Sequence, residues 1–207
     1  MNYAGNIKAE HSILLVIDLQ SKLAPAIASF NDTLDCALQL AKASAIHQIP
    51  SIITEHYKKG LGESDEKIKS ALPNAHYFEK INFSACAQEG FLDTLAQLNR
   101  PHIVVIGTEA HVCVLQTCLD LLQQGYAVTV AADAVASRNT EHKAIALEQL
   151  RQAGAIVSCV ETIIFQWTTK AGTSTFKKIL PIVKYRIKNG FKSNDLYTIN
   201  LRFLCLV

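Results

Sequence analysis

The fold of this chain is decided by residues 102–125, HIVVIGTEAHVCVLQTCLDLLQQG. Its first part, His102 to Ile106, is largely β-branched and apolar, which predicts a strand buried on both faces of a parallel sheet and stopped by Gly107. A helix is predicted from about His111 to Gln124, because Gly125 suits the left-handed conformation that ends many helices. The stretch is therefore one strand–helix unit of an α/β fold.

The same alternation of strand and helix extends to both sides of this unit. Apolar runs predict further strands at 13–17, 49–54, 75–78, 127–132 and 155–157. Caps and apolar positions at the 3.6-residue period predict helices that begin near Asn31 or Asp32, Ser84, Glu141 and Glu161. Strands separated by helices indicate an α/β fold, a three-layer, doubly wound, mainly parallel sheet with helices on both faces.

Length and charge indicate one domain with an appendage. The chain has 207 residues, 49% hydrophobic and 18% charged, as in globular domains. From Lys177 onward seven side chains are basic and one is acidic, a balance of +6, whereas the preceding residues balance at −4. We therefore assign residues 1–184 to a globular domain and 185–207 to a basic and apolar C-terminal tail, expected to pack as an arm against its own body or a neighbouring subunit.

Several classes of protein are disfavoured by composition. A net charge of +2 gives no reason to expect nucleic acid or a membrane surface as partner. No apolar run approaches the ~18–20 residues that span a bilayer. The polar start, 1–11, lacks a signal-peptide pattern, so we expect a cytoplasmic location and six free thiols. None of the cysteines has the CxxC spacing typical of zinc or redox motifs.

Three chemically useful side chains follow predicted strands. Asp18 comes directly after the first strand, Lys80 after the third, and Cys113 in the turn that starts the helix after 102–106. Ligands of open parallel sheets bind outside the carboxyl ends of the strands, so these residues are expected on one rim.

This trio suits nucleophilic catalysis. The Lys80 ammonium and a helix N-terminus are expected to lower the pKa of the Cys113 thiol. Asp18 is a candidate general base, and backbone N–H groups of the turn, including that of Cys113, can stabilise an oxyanion. The alternative for each residue taken alone is structural: a turn cap, a solvated lysine and a core cysteine.

The motifs around these residues resemble the isochorismatase-like cysteine hydrolases, a superfamily that includes nicotinamidases and N-carbamoylsarcosine amidases. Residues 55–62 are similar to the subgroup of isochorismatase domain-containing proteins. The resemblance extends over about Ser12 to Lys184, and it is most specific over 107–138. It implies that residues 1–184 form an isochorismatase-like hydrolase domain. The matching segments are LLVIDLQ (14–20), EKINFS (79–84), VIGTEAHVCVLQT (105–117), DLLQQGY (120–126) and ADAVASR (132–138).

The resemblance implies a catalytic triad of Asp18, Lys80 and Cys113. It also implies a cis peptide bond between Thr108 and Glu109, which turns the Glu109 N–H toward the oxyanion beside that of Cys113. Nicotinamidases carry an aspartate and histidines that bind a metal after the second strand. Residues 54–60, TEHYKKG, hold one histidine, His56, which we interpret as a loop residue, so we predict no metal and no cofactor.

A nucleophilic cysteine favours hydrolysis of an amide or related C–N bond through a thioester, since the vinyl-ether hydrolases of this superfamily lack that cysteine. The alternatives are an isochorismatase-type ether or ester hydrolase and a catalytically idle binding or scaffold member. The expected partners are a small-molecule substrate and other copies of the chain, as a dimer or higher homo-oligomer. Candidates for the substrate pocket are Gln20, Tyr57, Phe83 and His111.

Overall fold

Six parallel strands form one sheet in the order β3-β2-β1-β4-β5-β6. The computed structural model describes residues 6–190, with side chains to Lys184. The strands are β1 (Ser12–Ile17), β2 (Ser51–His56), β3 (His76–Lys80), β4 (His102–Thr108), β5 (Ala127–Ala136) and β6 (Ile156–Ser158). The helices are α1 (Phe30–Ile46), α2 (Lys58–Leu61), α3 (Glu66–Ala71), α4 (Phe91–Leu98), α5 (Leu115–Gln123), α6 (Thr140–Gln152), α7 (Val160–Thr168) and α8 (Ser174–Gly190).

The sheet separates two hydrophobic cores, which confirms the predicted three-layer α/β architecture. Side chains alternate across β1, so Leu14 and Val16 pack on one face while Leu15 and Ile17 pack on the other. The first face is covered by α1, α7 and α8, and the second by α4, α5 and α6. Every residue of β1 and β4 is buried, as expected for central strands of a parallel sheet.

Several strands extend further toward their carboxyl ends than predicted. β2 continues to His56 and β3 to Lys80, because these polar residues still pair across the two strands. β4 continues through Gly107 to Thr108, and β5 to Ala136, with a register irregularity between Val105 and Gly107. Polar residues at strand ends do not fit an apolar-run criterion, yet they complete the hydrogen-bonded ladder.

Helix starts also differ from prediction. α1 begins at Phe30 after Ser29, so neither Asn31 nor Asp32 is its cap. Ser84 caps only a short 3₁₀ turn, and α4 begins separately after Gly90, whose φ is +76°. The start of α6 agrees with prediction to within one residue, since the helix begins at Thr140. The Asn139 side chain caps it by accepting hydrogen bonds from the N–H groups of Glu141 and His142.

The C-terminal end of the described chain is helical. α8 was not predicted, and it continues past Lys184 to Gly190. Ile179 and Val183 of this helix are buried in the core on the α1 face. The remainder of the predicted tail, 191–207, lies outside the described residues, so the boundary at 184/185 stays a prediction. Within residues 6–190 no helix combines the length and the apolarity needed to cross a bilayer.

Candidate active site

The predicted trio lies at the point where the strand order reverses. β2 and β3 lie on one side of β1, while β4, β5 and β6 lie on the other. In such sheets the crevice outside the carboxyl ends of the two central strands is the usual ligand site. Asp18 directly follows β1, Lys80 is the last residue of β3, and Cys113 lies in the turn after β4.

Asp18 and Lys80 form a buried ion pair. Lys80 Nζ donates to Asp18 Oδ2 at 2.7 Å, and the side chains are 0% and 2% exposed respectively. The other carboxylate oxygen, Oδ1, accepts a hydrogen bond from Thr54 Oγ1 at 2.8 Å. Asp18 adopts φ +52°, where its backbone is fixed by hydrogen bonds to Thr54 and Thr108. The carboxylate is therefore held in one orientation.

The Lys80 ammonium is held by the loop that follows β3. Besides Asp18, it donates to the carbonyl oxygens of Asn82 and Phe83, at 3.3 and 3.1 Å. This loop is attached to α5, because Ser84 donates to Asp120 and the Ala85 N–H donates to Thr117 Oγ1. The helix that carries the cysteine turn thus also fixes the support of the lysine.

Cys113 lies beside the ion pair. Its sulfur is within 4.8 Å of an Asp18 carboxylate oxygen, and the residue is 6% exposed. Burial first, and then the Asp18 charge, raise the pKa of the Cys113 thiol to about 12, while Lys80 acts in the opposite direction. The expected lowering of this pKa is therefore wrong, since desolvation outweighs the single cation.

Near the end of β4, before the turn that carries Cys113, the backbone of β4 lies unusually close to the backbone of β1. Gly107 has φ +138°, and a Cβ built on it would lie 2.0 Å from the Ile17 carbonyl oxygen. A π-helical turn over Ala110–Val114, of a kind frequent at functional sites, then leads into α5. Only glycine permits this approach, which places the start of the turn next to Asp18.

The expected cis bond between Thr108 and Glu109 is wrong, since all peptide bonds of residues 6–190 are trans. Glu109 reaches the π-helical turn in an extended conformation, φ −68° and ψ 119°, and its carbonyl accepts hydrogen bonds from Val112 and Val114. The chain therefore makes the turn without a cis bond. The expected role of the Glu109 N–H as an oxyanion donor depended on that cis bond and is no longer supported. The oxyanion role of the Cys113 N–H stays a prediction.

His56 was misjudged from the sequence. It is the last residue of β2 and not a loop residue, and one imidazole nitrogen lies within 4.8 Å of both the Asp18 carboxylate and the Cys113 sulfur. Its Nδ1 is buried without a hydrogen-bond partner, and its ring lies 5.4 Å from that of Phe83. Its pairing with Lys80 in the β2–β3 register brings it to the site, and no local pattern in the sequence indicates that register.

The four pocket candidates have different surroundings. Gln20 is fully buried and its amide is bonded to the backbone of His56 and Gly62, which makes it a structural residue. Tyr57 and Phe83 are about half exposed, and Phe83 contacts His56. His111 bonds through Nδ1 to Ser137 at 3.0 Å and to Glu109 at 3.2 Å. Of these four, Phe83 packs its ring against a side chain of the site, that of His56.

Comparison with known proteins agrees with this architecture. The family model described as "Isochorismatase domain" matches residues 12–162. Isochorismatase family protein 1B of Dictyostelium discoideum is 40% identical over 187 residues, covering 88% of this chain and 90% of the relative.

Solved structures share the fold. The structure of MAR1 ribonuclease from Caenorhabditis elegans matches with TM-score 0.82 and 37% identity, covering 86% of this chain and 92% of that one. The YcaC gene product of Escherichia coli, described as an octameric hydrolase of unknown specificity, matches with TM-score 0.81 over 92% of this chain and 98% of that one. At 18% identity the latter likeness concerns the fold alone. The match of the domain model over most of the chain, together with the 40% identical relative, shows that the chain belongs to the isochorismatase family.

Proposed function

We propose that the chain is a cysteine hydrolase that cleaves an amide or related C–N bond of a small molecule through a thioester on Cys113. The observation that carries the proposal is the position of the Cys113 sulfur within 4.8 Å of a carboxylate, Asp18, that is itself held by a buried cation, Lys80. Proteins of this family are generally hydrolases, and the bond cleaved is the part that we infer.

In this mechanism Asp18 acts as general base. With its pKa raised to about 12, the Cys113 thiol is protonated at neutral pH. It therefore loses its proton to Asp18 as the sulfur attacks the substrate carbonyl carbon. Asp18 then returns the proton to the departing nitrogen, and the acyl group remains on sulfur. A water molecule then loses a proton to Asp18 as its oxygen attacks the thioester carbonyl carbon. The bond to sulfur breaks, the acid is released, and Asp18 returns the proton to the Cys113 sulfur.

Lys80 has a separate role in this proposal. Its three hydrogen bonds, to Asp18, Asn82 and Phe83, hold the carboxylate in place and offset its charge while the proton is transferred. The N–H of Cys113, in the turn that precedes α5, is the proposed donor to the oxyanion. We also propose that the enzyme acts in the cytoplasm as a homo-oligomer on a small-molecule substrate.

The experiment distinguishes this proposal from three other functions: hydrolysis of an ester or vinyl ether, a binding role without catalysis, and cleavage of RNA. RNA is included because the similar C. elegans structure is named a ribonuclease. A panel of primary amides, ureides and carbamoyl compounds is assayed for ammonia release, with esters, a vinyl ether and a structured RNA in parallel. We expect ammonia release from the C–N compounds. Turnover of the ester, the ether or the RNA alone would replace the proposed bond type, and no turnover in any arm would favour the idle role.

A further inference from the structure

We infer that Asp18, His56 and Cys113 form a binding site for a divalent transition-metal ion such as Zn²⁺, and that the ion inhibits the enzyme by occupying its nucleophile. One ligand atom from each residue lies within 4.8 Å of the other two. The three come from separate elements, the ends of β1 and β2 and the turn after β4, and they meet through the sheet topology.

The donor types match borderline metals. Zinc in proteins takes thiolate sulfur, imidazole nitrogen and carboxylate oxygen, and three protein ligands with an open fourth position are common. At usual bond lengths the ligand atoms around a tetrahedral zinc lie about 3.3–3.6 Å from one another. The three ligand atoms are now at most 4.8 Å apart. Side-chain rotations that move each atom inward by about 1 Å would bring them to the spacing that zinc requires.

The present hydrogen bonds leave room for the ion. His56 Nδ1 is buried with no partner, which is costly unless a ligand occupies the site. Asp18 accepts from Lys80 on one oxygen and from Thr54 on the other, and a carboxylate has about four acceptor positions. Cys113 and Asp18 are almost fully buried, so half-buried His56 provides the approach from solvent.

Binding exchanges a proton for the ion. The S–H bond of Cys113 breaks, its proton leaves to solvent, and the sulfur lone pair binds the metal. No oxidation occurs. The Lys80 ammonium, 2.7 Å from Asp18, repels the ion and limits its affinity. This repulsion gives a signature for the site, because removal of the Lys80 charge should tighten metal binding while it impairs catalysis.

The test uses Co²⁺ as a probe, with chelator-treated full-length protein. We expect a near-ultraviolet thiolate-to-cobalt absorption band that Zn²⁺ displaces. Cys113→Ser should abolish the band, His56→Gln should weaken Co²⁺ affinity at least about tenfold, and Lys80→Met should strengthen it. His142→Gln and Cys86→Ser, outside this cluster, are the matched controls and should leave affinity within twofold. Zn²⁺ should also slow alkylation of Cys113.

Absence of the band in the wild-type protein, or a band that persists in Cys113→Ser, would overturn the site. So would an affinity that does not change in His56→Gln. The inhibition clause rests on the proposed nucleophile, but the absorption band does not require turnover. A bound metal without any hydrolase activity would therefore refute the proposed function and leave the site intact, and the converse result would refute only the site.

Discussion

At the scale of single residues, the Asp18–Lys80 pair combines a proposed catalytic role with a risk to stability. Both side chains are buried, so neither charge is stabilised by bulk water when its partner is removed. Breaking a buried pair from one side typically costs about 3–5 kcal/mol, while replacing both members is often neutral. Stability and activity should therefore respond differently to single and double substitutions.

Asp18→Asn and Lys80→Met should each lower the free energy of unfolding by about 3–5 kcal/mol, because each leaves one charge buried alone. The double variant should recover most of that loss, yet all three should have lost most activity. Urea denaturation and initial rates on a panel substrate measure the two effects. A double variant as unstable as the sum of the singles would contradict the account.

Alkylation of the resting enzyme should be slow at Cys113. Because the Cys113 pKa is raised to about 12, its thiolate is scarce at neutral pH, and its alkylation should keep rising with pH beyond 9. Exposed Cys159 should react before buried Cys113 at pH 7. Iodoacetamide labelling with peptide mass spectrometry, in the presence of chelator, follows both sites, and Cys159→Ser is the control. Rapid, pH-independent labelling of Cys113 would show a stable thiolate instead.

The residues of the trio were predictable from the sequence, whereas their electrostatics were not. Asp18, Lys80 and Cys113 follow apolar runs, and the topology of parallel sheets brings such positions to one edge. Desolvation of Cys113 and the approach of His56 depend on how several elements pack together. No local pattern in the sequence carries that information.

At the scale of elements, the contact between the ends of β1 and β4 positions the site. Gly107 lies beside the Ile17 carbonyl, one residue before Asp18, and it continues β4 toward the turn of Cys113. The pattern of apolar residues predicts only that this glycine ends the strand. Its actual role follows from the register of two strands that are distant in the chain.

Gly107→Ala should destabilise the protein and reduce activity together. Its Cβ would lie 2.0 Å from the Ile17 carbonyl oxygen, so β1 or β4 must shift. Gly125→Ala is the matched control, since Gly125 also has a positive φ, +86°, but no atom lies within 4 Å of the added Cβ. In thermal denaturation, the decrease in Tm caused by Gly107→Ala should be at least about twice the decrease caused by Gly125→Ala. Equal losses would mean that backbone conformation alone, and not the close approach, requires glycine there.

Strand and helix identities were predictable from apolar periodicity, but their ends were not. β2 and β3 extend into polar residues because His56 pairs with Lys80 across the two strands. The predicted Ser84 helix divides because Gly90 adopts a left-handed conformation before α4. Cross-strand pairing and the left-handed conformation of such residues depend on the tertiary structure, and a local sequence pattern does not encode them.

At the scale of the whole molecule, the packing of the sheet fixes the ionisation of a core histidine. His102 is 1% exposed and its Nε2 lies 2.7 Å from Thr129 Oγ1, which links β4 to β5. Burial lowers its pKa from 6.5 to about 4. The unfolded chain therefore binds a proton between pH 6.5 and 4 that the folded protein does not, and the contribution of neutral His102 to stability is lost as pH falls.

His102→Gln should flatten the acid side of the stability profile. In the wild-type protein this residue accounts for a decrease of up to about 3 kcal/mol between pH 6.5 and 4, and the variant lacks that decrease. Urea denaturation at a series of pH values measures it, with exposed His142→Gln as the control. Identical slopes for the wild type and His102→Gln would contradict the assignment.

The measurement that tests the central claim most directly is turnover by Cys113→Ala on a compound that the wild-type enzyme hydrolyses. Cys86→Ala serves as the matched control, since Cys86 is a partly buried cysteine whose thiol bonds to the Thr117 carbonyl and not to Asp18. Both variants are first shown to be folded by circular dichroism. The account predicts product release at the uncatalysed background for Cys113→Ala and near the wild-type rate for Cys86→Ala. A wild-type rate in Cys113→Ala would contradict covalent catalysis by this cysteine.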